Sequence, residues 1–468
     1  MRIIAGIAVG AVVIGVALNA CAPHQDRLAR IKAAGEIHVL TRKSATTYYE
    51  GPLGPTGLEY DLAKRFADYL GVKLKLETPD TFEDILTEIE NGDADVAAAG
   101  LTVTKTREKT VLFGPPYQYI TQQLVYRLGT PTPKSIDDLT AGRVEVVAGS
   151  SHAERLRQLK KKHPKLEWTA NPKASTEELL TLVWQQLIDY TVADSNEVAI
   201  NRRYYPELRV AFDLTKPQPL AWAFPRDGDD SLYKAAVKFF DQLKSSGELD
   251  ALLDRYYGHV EDYDYAGTTT YMRHVRMRLP DYRAEFQDAA REYKLDWRLL
   301  AAMAYQESHW NPDAVSPTGV RGIMMLTIAT ARHLGVDKRT DPIQSIQGGA
   351  QYLRALLDAL PDSIKEPDRT WFALAAYNVG MGHVEDAREI TRKRGGDPNV
   401  WADVKQNLPL LRRRKWYRHT RHGYARGNEP VRYVENIRSY YDILTWMLDR
   451  DEPDPGATRA LSIDSPVL

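Results

Sequence analysis

The stretch Asp296-Trp297-Arg298-Leu299-Leu300-Ala301-Ala302-Met303-Ala304-Tyr305-Gln306-Glu307-Ser308-His309-Trp310 places a carboxylate at the end of an apolar run. The spacing predicts a helix with Asp296 as its N-cap, broken by Asn311-Pro312. Leu300, Met303 and Glu307 fall at i, i+3 and i+7, so the carboxylate shares a face with the apolar stripe. Burial disfavours the charged form of a carboxylate, and the negative end of the helix dipole adds to that effect. Such a group stays protonated near neutral pH and can donate its proton as a general acid. The alternative is a last-turn Glu facing solvent beside an arginine, since most Glu residues lie on surfaces. Three segments downstream weigh against it.

Gly319-Val320-Arg321-Gly322-Ile323-Met324-Met325-Leu326 has two glycines three apart, a tight loop that lets backbone approach a ligand. A helix from about Leu326 to Leu334 follows, closed by Gly335. Trp371-Phe372-Ala373-Leu374-Ala375-Ala376-Tyr377-Asn378-Val379-Gly380 is an apolar helix ending in Tyr-Asn and glycine. An aromatic ring and an amide at a helix end can hold an N-acetyl sugar, ring against sugar face and amide against acetamido group. Gly423-Tyr424-Ala425-Arg426-Gly427 leads to Tyr433-Val434-Glu435-Asn436-Ile437, and Tyr433 is the candidate partner of Glu307.

Taken together and in this order, Glu307-Ser308, Gly322-Ile323-Met324-Met325, Ala376-Tyr377-Asn378-x-Gly380 and Tyr433-Val434 resemble the goose-type-lysozyme-like lytic transglycosylases, over about residues 280 to 450. Met325 stands where many of that family carry Gln. The Met-rich version resembles the membrane-bound lytic murein transglycosylase F subgroup. The resemblance implies a mostly α lysozyme-like domain and cleavage of the β-1,4 bond between N-acetylmuramic acid and N-acetylglucosamine in peptidoglycan. The product end is then a 1,6-anhydromuramoyl ring, so the reaction is that of a lyase. It implies one carboxylate where ordinary glycosidases use two. Glu307 would protonate the glycosidic oxygen and then act as base on the muramic C6 hydroxyl, with the substrate's acetamido group replacing a second carboxylate. Ser308, Met324, Met325, Tyr377, Asn378 and Tyr433 would contact substrate.

At 468 residues the chain is long enough for two or three domains. Its 62 Lys and Arg against 63 Asp and Glu argue for no nucleic-acid partner. Residues 1–21 read as a targeting segment: Arg2, an apolar run from Ile3 to Ala20, then Cys21, the sole cysteine. The Leu18-Asn19-Ala20-Cys21 end resembles a bacterial lipoprotein signal. That implies acylation of Cys21, and Ala22 implies outer-membrane sorting on the periplasmic face of a Gram-negative cell. An uncleaved anchor or a plain secretory signal are the alternatives, and all three put the body outside the cytoplasm.

Residues 22–265 alternate strand and helix signals. Ile37–Leu40, Val72–Leu76, Asp95–Ala99, Val144–Ala148 and Tyr190–Asp194 read as strands; Leu58–Leu70 and about Phe82–Glu90 read as helices. The alternation argues for parallel sheets flanked by helices. Gly114-Pro115-Pro116 and Lys216-Pro217-Gln218-Pro219 split the region into two lobes. Gly57-Leu58-Glu59-Tyr60-Asp61-Leu62-Ala63, Leu101-Thr102-Val103-Thr104-Lys105-Thr106-Arg107, Phe113-Gly114-Pro115-Pro116-Tyr117 and Ala193-Asp194-Ser195 resemble the periplasmic amino-acid-binding proteins, solute-binding family 3. The resemblance implies an α/β two-lobed domain in which Arg107 clamps an α-carboxylate with help from Thr102. Asp194 would take the amino group, Tyr48 or Tyr49 would stack on the side chain, and Gly149-Ser150-Ser151 would donate from the second lobe. The bulky Trp184 is expected near that cleft. The natural ligand would be an amino acid or a cell-wall peptide, and lobe closure around it would alter access to Glu307.

Residues 266–450 form the second unit, mostly helical, and residues 451–468 read as a disordered tail. Asp341-Pro342 opens a helix whose buried side is marked by Ile343, Ile346, Ala350, Leu353, Leu357 and Leu360. The basic run Arg412-Arg413-Arg414-Lys415-Trp416-Tyr417-Arg418-His419 could meet acidic peptide stems or anionic headgroups, or be a solvated loop. No metal-ligand spacing and no phosphate loop occur, so neither metal nor other cofactor is expected. Three functions compete: a lytic transglycosylase with a regulatory binding domain, a peptidoglycan-attached solute sensor without catalysis, and a lysozyme-type hydrolase.

Overall fold

The computed structural model describes residues 26–51, 54–259, 265–316 and 319–451. The targeting segment with Cys21, and the tail beyond residue 451, lie outside them. Among the described residues no helix is long and apolar enough to cross a membrane.

The first half of the chain builds two five-stranded sheets. One runs Lys73–Glu77, Glu36–Leu40, Val96–Ala97, Ala223–Pro225, Val111–Phe113; the other runs Thr169–Asn171, Val144–Val147, Tyr190–Asp194, Gln122–Arg127, Leu208–Asp213. Both are mixed, which corrects the expectation of parallel sheets. Ala223–Pro225 lies antiparallel to both neighbours in the first sheet, and Gln122–Arg127 does so in the second. Each of these strands lies just past a crossing between lobes: Gln122–Arg127 is the first strand of its sheet in chain order and Ala223–Pro225 the last of its own. The crossings themselves pair antiparallel as Gln118–Ile120 and Gln218–Leu220, next to the proline punctuation.

The helix Leu58–Leu70 buries Leu58, Leu62, Ala63, Phe66, Ala67 and Leu70 and stops at Gly71. That periodicity puts one apolar face on the first sheet. Gly71 supplies the left-handed turn (φ 75°) at which its own N–H closes the last turn onto Ala67 O and Asp68 O.

From Tyr265 onward the chain is helical. Trp297–Ser308 and Asp368–Val379 both pack on the long helix Asn428–Asp451. Leu300, Met303, Phe372, Val434 and Ile437 of these helices are fully buried in one core, which Phe286 of the helix Arg283–Tyr293 joins. Asp341 caps the helix Pro342–Ala359 by accepting from Gln344 N. Its buried face holds Ile346, Ala350, Leu353 and Leu357, but Ile343 is 58% exposed, because the first turn projects beyond the core.

The two halves meet along the C-terminal helix. Trp446 sits against Tyr204 and Tyr205, with ring centroids 5.3 and 5.5 Å away. Buried Asp442 lies 2.9 Å from Arg203 Nη2 and 2.9 Å from His259 Nε2. Lys405 is paired with Asp254 of the first half and Glu435 of the second. Burial and the neighbouring cations Arg438, Arg203 and Lys405 hold the His259 pKa well below the usual range, so it is neutral. Trp184 does not approach the cleft between lobes. Its ring lies tilted against that of Tyr205, centroids 5.1 Å apart, and it donates Nε1 to Glu207 at 2.7 Å.

Candidate active site

The helix carrying Glu307 begins at Asp296, whose carboxylate accepts from Arg298 N, and ends at Ser308. His309 and Trp310 then take left-handed conformations, at φ 53° and 56°. Non-glycine residues resist that region, so the reversal needs tertiary support. Trp310 is buried and donates Nε1 to Ala301 O at 2.8 Å, while Arg278 donates to His309 O at 2.9 Å. The turn tucks Trp310 beneath the helix and leaves Glu307 on its last turn.

Glu307 is half-buried and keeps some surface for a reactant. The Tyr433 hydroxyl donates to its Oε1 at 2.6 Å. Burial pushes the carboxyl up to about 7, against the pull of the Tyr433 hydrogen bond, which favours the anion. Burial and the Glu307 charge in turn hold the hydroxyls of Tyr433 and Tyr377 well above the usual tyrosine range, so both stay protonated donors.

Two hydrogen bonds fasten the glycine loop beside this carboxylate. Ser308 donates to Ile323 O at 2.8 Å, and Tyr377 donates to Met324 O at 3.0 Å. Gly322 makes the loop possible. Its φ is +92°, and a Cβ there would lie 1.8 Å from Arg339 O. The hydroxyl proton of Ser308 is thereby committed to backbone. The side chain of Met324 is buried against Gly349, which corrects its expected substrate contact: its backbone carries the local architecture, the carbonyl accepting from Tyr377 and the N–H donating to Ser345 Oγ at 3.2 Å. Met325 is half-buried in a left-handed conformation (φ 46°), and Asn378 is exposed at the end of its helix. Tyr352 is a neighbour that sequence reading missed; its ring stands 5.2 Å from that of Tyr377. It lies on another helix, so no local pattern signals it.

In the first half, Arg107 donates to Thr102 O and, across the lobes, to Gly149 O, each at 3.1 Å. Arg42 of the first lobe pairs with Glu197 of the second at 2.7 Å. Ser150 caps its helix by accepting from Ala153 N. Asp194 meets His152 Nε2 at 2.9 Å. Arg107, Thr102, Ser150 and Asp194 line one cavity with Arg42 and Phe82, but its volume is about 20 Å³. That admits a water and not an amino acid, so entry of a larger molecule requires the lobes to part. Tyr48 does not line it, in contrast to expectation. It bonds Glu50, and the ring over Arg107 is Phe82, 5.4 Å from the guanidinium carbon. The short strands Tyr49–Gly51 and Gly54–Thr56 form a hairpin of their own there. His152, Asp194 and Glu197 lie close enough to share a metal ion. Each already has a protein partner, with the Arg42 charge beside them, and no metal site is assigned.

A two-lobed α/β module joined to a helical domain with a half-buried carboxylate defines a class, and two family models match its two parts. Residues 29–259 match the bacterial extracellular solute-binding proteins, family 3, and residues 284–400 match the transglycosylase SLT domain. The chain is 54% identical over 418 residues to membrane-bound lytic murein transglycosylase F 1 of Alkalilimnicola ehrlichii, covering 89% of this chain and 85% of that one. It is 49% identical over 419 residues to membrane-bound lytic murein transglycosylase F of Saccharophagus degradans, covering 90% and 84%. Among solved structures it is similar to an amino acid ABC transporter substrate-binding protein, AbpA, of Streptococcus pneumoniae, at 25% identity and a TM-score of 0.45, over 50% of this chain and 99% of that one. The chain belongs to the membrane-bound lytic murein transglycosylase F family and is a lytic transglycosylase.

Proposed function

We propose that this enzyme cleaves the β-1,4 bond between N-acetylmuramic acid and N-acetylglucosamine of peptidoglycan and leaves a 1,6-anhydromuramoyl end, with Glu307 as its one catalytic carboxylate. The observation that carries this reading is the state of Glu307. Burial raises its pKa to about 7, the Tyr433 hydroxyl donates to it at 2.6 Å, and among the described residues no second carboxylate contributes to that shift. Two-carboxylate glycosidases set a second acid within about 10 Å, close enough to perturb the first. A lone acid fits a mechanism in which Glu307 gives its proton to the leaving oxygen. The resulting anion, held by Tyr433, then takes the proton of the C6 hydroxyl as that oxygen closes on C1. Tyr377 and Asn378 would position sugar, and Met325 would contact it. Mass spectrometry of digested sacculi tests this: anhydro ends weigh one water less than reducing ends, and reducing ends alone would establish a hydrolase.

Residues 22–265 act in this reading as a non-catalytic regulatory unit and residues 266–450 as the catalytic unit. Arg107, Thr102, Asp194 and Ser150 would hold a cell-wall peptide or amino acid. Their convergence on one cavity supports it. The helix Ser195–Tyr204 starts at Asp194 and ends beside Trp446 and Asp442 on the helix that bears Tyr433. That is a short mechanical route between the two sites. A muropeptide that raises Tm of the wild type but not of Arg107→Ala would support binding; equal shifts would refute it. Anchorage to the outer membrane through Cys21, facing the periplasm, completes the reading, and palmitate labelling that survives Cys21→Ser would exclude it.

A further inference from the structure

Between 412 and 426 the chain carries Arg412, Arg413, Arg414, Lys415, Arg418, Arg421 and Arg426 and no acidic residue, in a protein whose net charge is −1. All seven side chains are exposed. Arg426 pairs with Glu429 at 3.2 Å, and among the described residues the other six make no ion pair. Like charges this dense repel one another, and a segment left to itself would spread into solvent.

This one is held in a fixed shape instead. Buried Asp386 accepts from the backbone N–H groups of both Arg421 and His422, at 3.0 and 2.9 Å. Trp416 packs on the domain core, and Ala425 N donates to Leu411 O at 3.2 Å. Tyr417 and Tyr424 meet edge to face at 5.7 Å, with Tyr424 56% exposed. A buried carboxylate thus organises a rigid cationic surface.

The segment is also bracketed by the active site. At one point His422 presses on Gly382, four residues past Asn378, where a Cβ would lie 2.6 Å from its ring. At its end the chain runs directly into the helix Asn428–Asp451, which presents Tyr433 to Glu307.

We infer that this surface binds the carboxylates of the peptide stems that hang from the glycan strand, so that the enzyme prefers peptide-bearing strands to bare glycan. The inference rests on peptidoglycan being the substrate. Peptidoglycan is a neutral sugar backbone carrying anionic peptides at every uncut muramic residue, and a cationic rim beside the cleavage point meets those peptides as the sugar enters. Arginine forks suit carboxylates. A membrane surface fits less well, because Tyr424 is the one large apolar side chain the segment exposes.

The test compares glycan strands bearing peptides with strands stripped by an amidase, using wild type and the triple variant Arg414→Gln, Lys415→Gln, Arg421→Gln. For the variant, KM on peptide-bearing strands should rise about tenfold with kcat little changed, and its dependence on salt should weaken. On stripped strands variant and wild type should agree. The triple change to charge-conserving residues (Arg414→Lys, Lys415→Arg, Arg421→Lys) should restore most of the affinity. An equal loss on both substrates, or no loss on either, overturns the inference. So does a variant with normal kinetics that has lost binding to vesicles containing phosphatidylglycerol. Co-sedimentation of Glu307→Gln with intact and stripped sacculi reads the same surface without turnover. Wild type yielding no anhydro ends would instead count against the proposed reaction while leaving that binding comparison interpretable.

Discussion

The hydroxyl of Tyr433 donates to Oε1 of Glu307 at 2.6 Å, across 126 residues of chain. Two effects oppose each other at this contact. Burial raises the carboxyl to about 7, and the hydrogen bond lowers it. The acid is therefore poised near neutrality, where a group that must give and then retake a proton works best.

Glu307→Gln should fold normally and release no anhydromuropeptides, a loss of at least about a thousandfold for the sole acid and base. It should also change the pH dependence of stability. The folded pKa lies above the unfolded one, so wild type is favoured by this group below about pH 4.5 and loses that advantage as pH rises through about 7. Gln has no such loss. Thermal melts should show the variant gaining on wild type between pH 4.5 and pH 8, by on the order of 2 kcal/mol after allowance for partial exposure. A constant difference across that range would mean the carboxyl titrates normally.

Turnover should fall as pH rises through about 7, because the proton donor is lost. In Tyr433→Phe the anion loses its hydrogen bond, so the midpoint of that falling limb should move up by about one pH unit while the maximal rate drops. A midpoint that moves down would assign the limb to another group.

Gly322→Ala should destabilise the catalytic domain by more than about 2 kcal/mol, since the added methyl meets Arg339 O in a left-handed turn. Urea unfolding measures this, and sacculus digestion should fail with it because the Ile323 and Met324 carbonyls shift from Ser308 and Tyr377. A fully active, equally stable alanine variant would show that the loop need not take this path.

Asp442→Ala removes the anion shared by Arg203 and His259 at the buried junction. An unpaired buried charge costs about 3–5 kcal/mol. Denaturant unfolding followed by probes in each half should show the two transitions separating. Coincident transitions with unchanged midpoints would mean the junction contributes little.

Much of this architecture is legible in local sequence. The helices at Leu58, Phe82, Trp297 and Pro342 follow from caps, stops and apolar spacing, all of which act within a few residues. The mixed direction of the sheets was not legible, because it depends on how the chain crosses between the lobes. Ile343 and Met324 show the same limit from opposite sides. Both read as plausible for their assigned faces, yet one projects past the core and the other is swallowed by it.

By itself the sequence determined which residues could do chemistry: an acid on an apolar stripe, a glycine loop, a Tyr-Asn helix end and a distant tyrosine, in order. Local rules suffice for that, since periodicity sets which way a side chain faces. Only the tertiary structure decided what surrounds them. Whether Glu307 meets Tyr433, whether Arg107 faces Phe82 or Tyr48, and whether Ser308 spends its proton on backbone depend on contacts between segments far apart in sequence. Burial and pairing are properties of the packed core, so no window of the chain contains them.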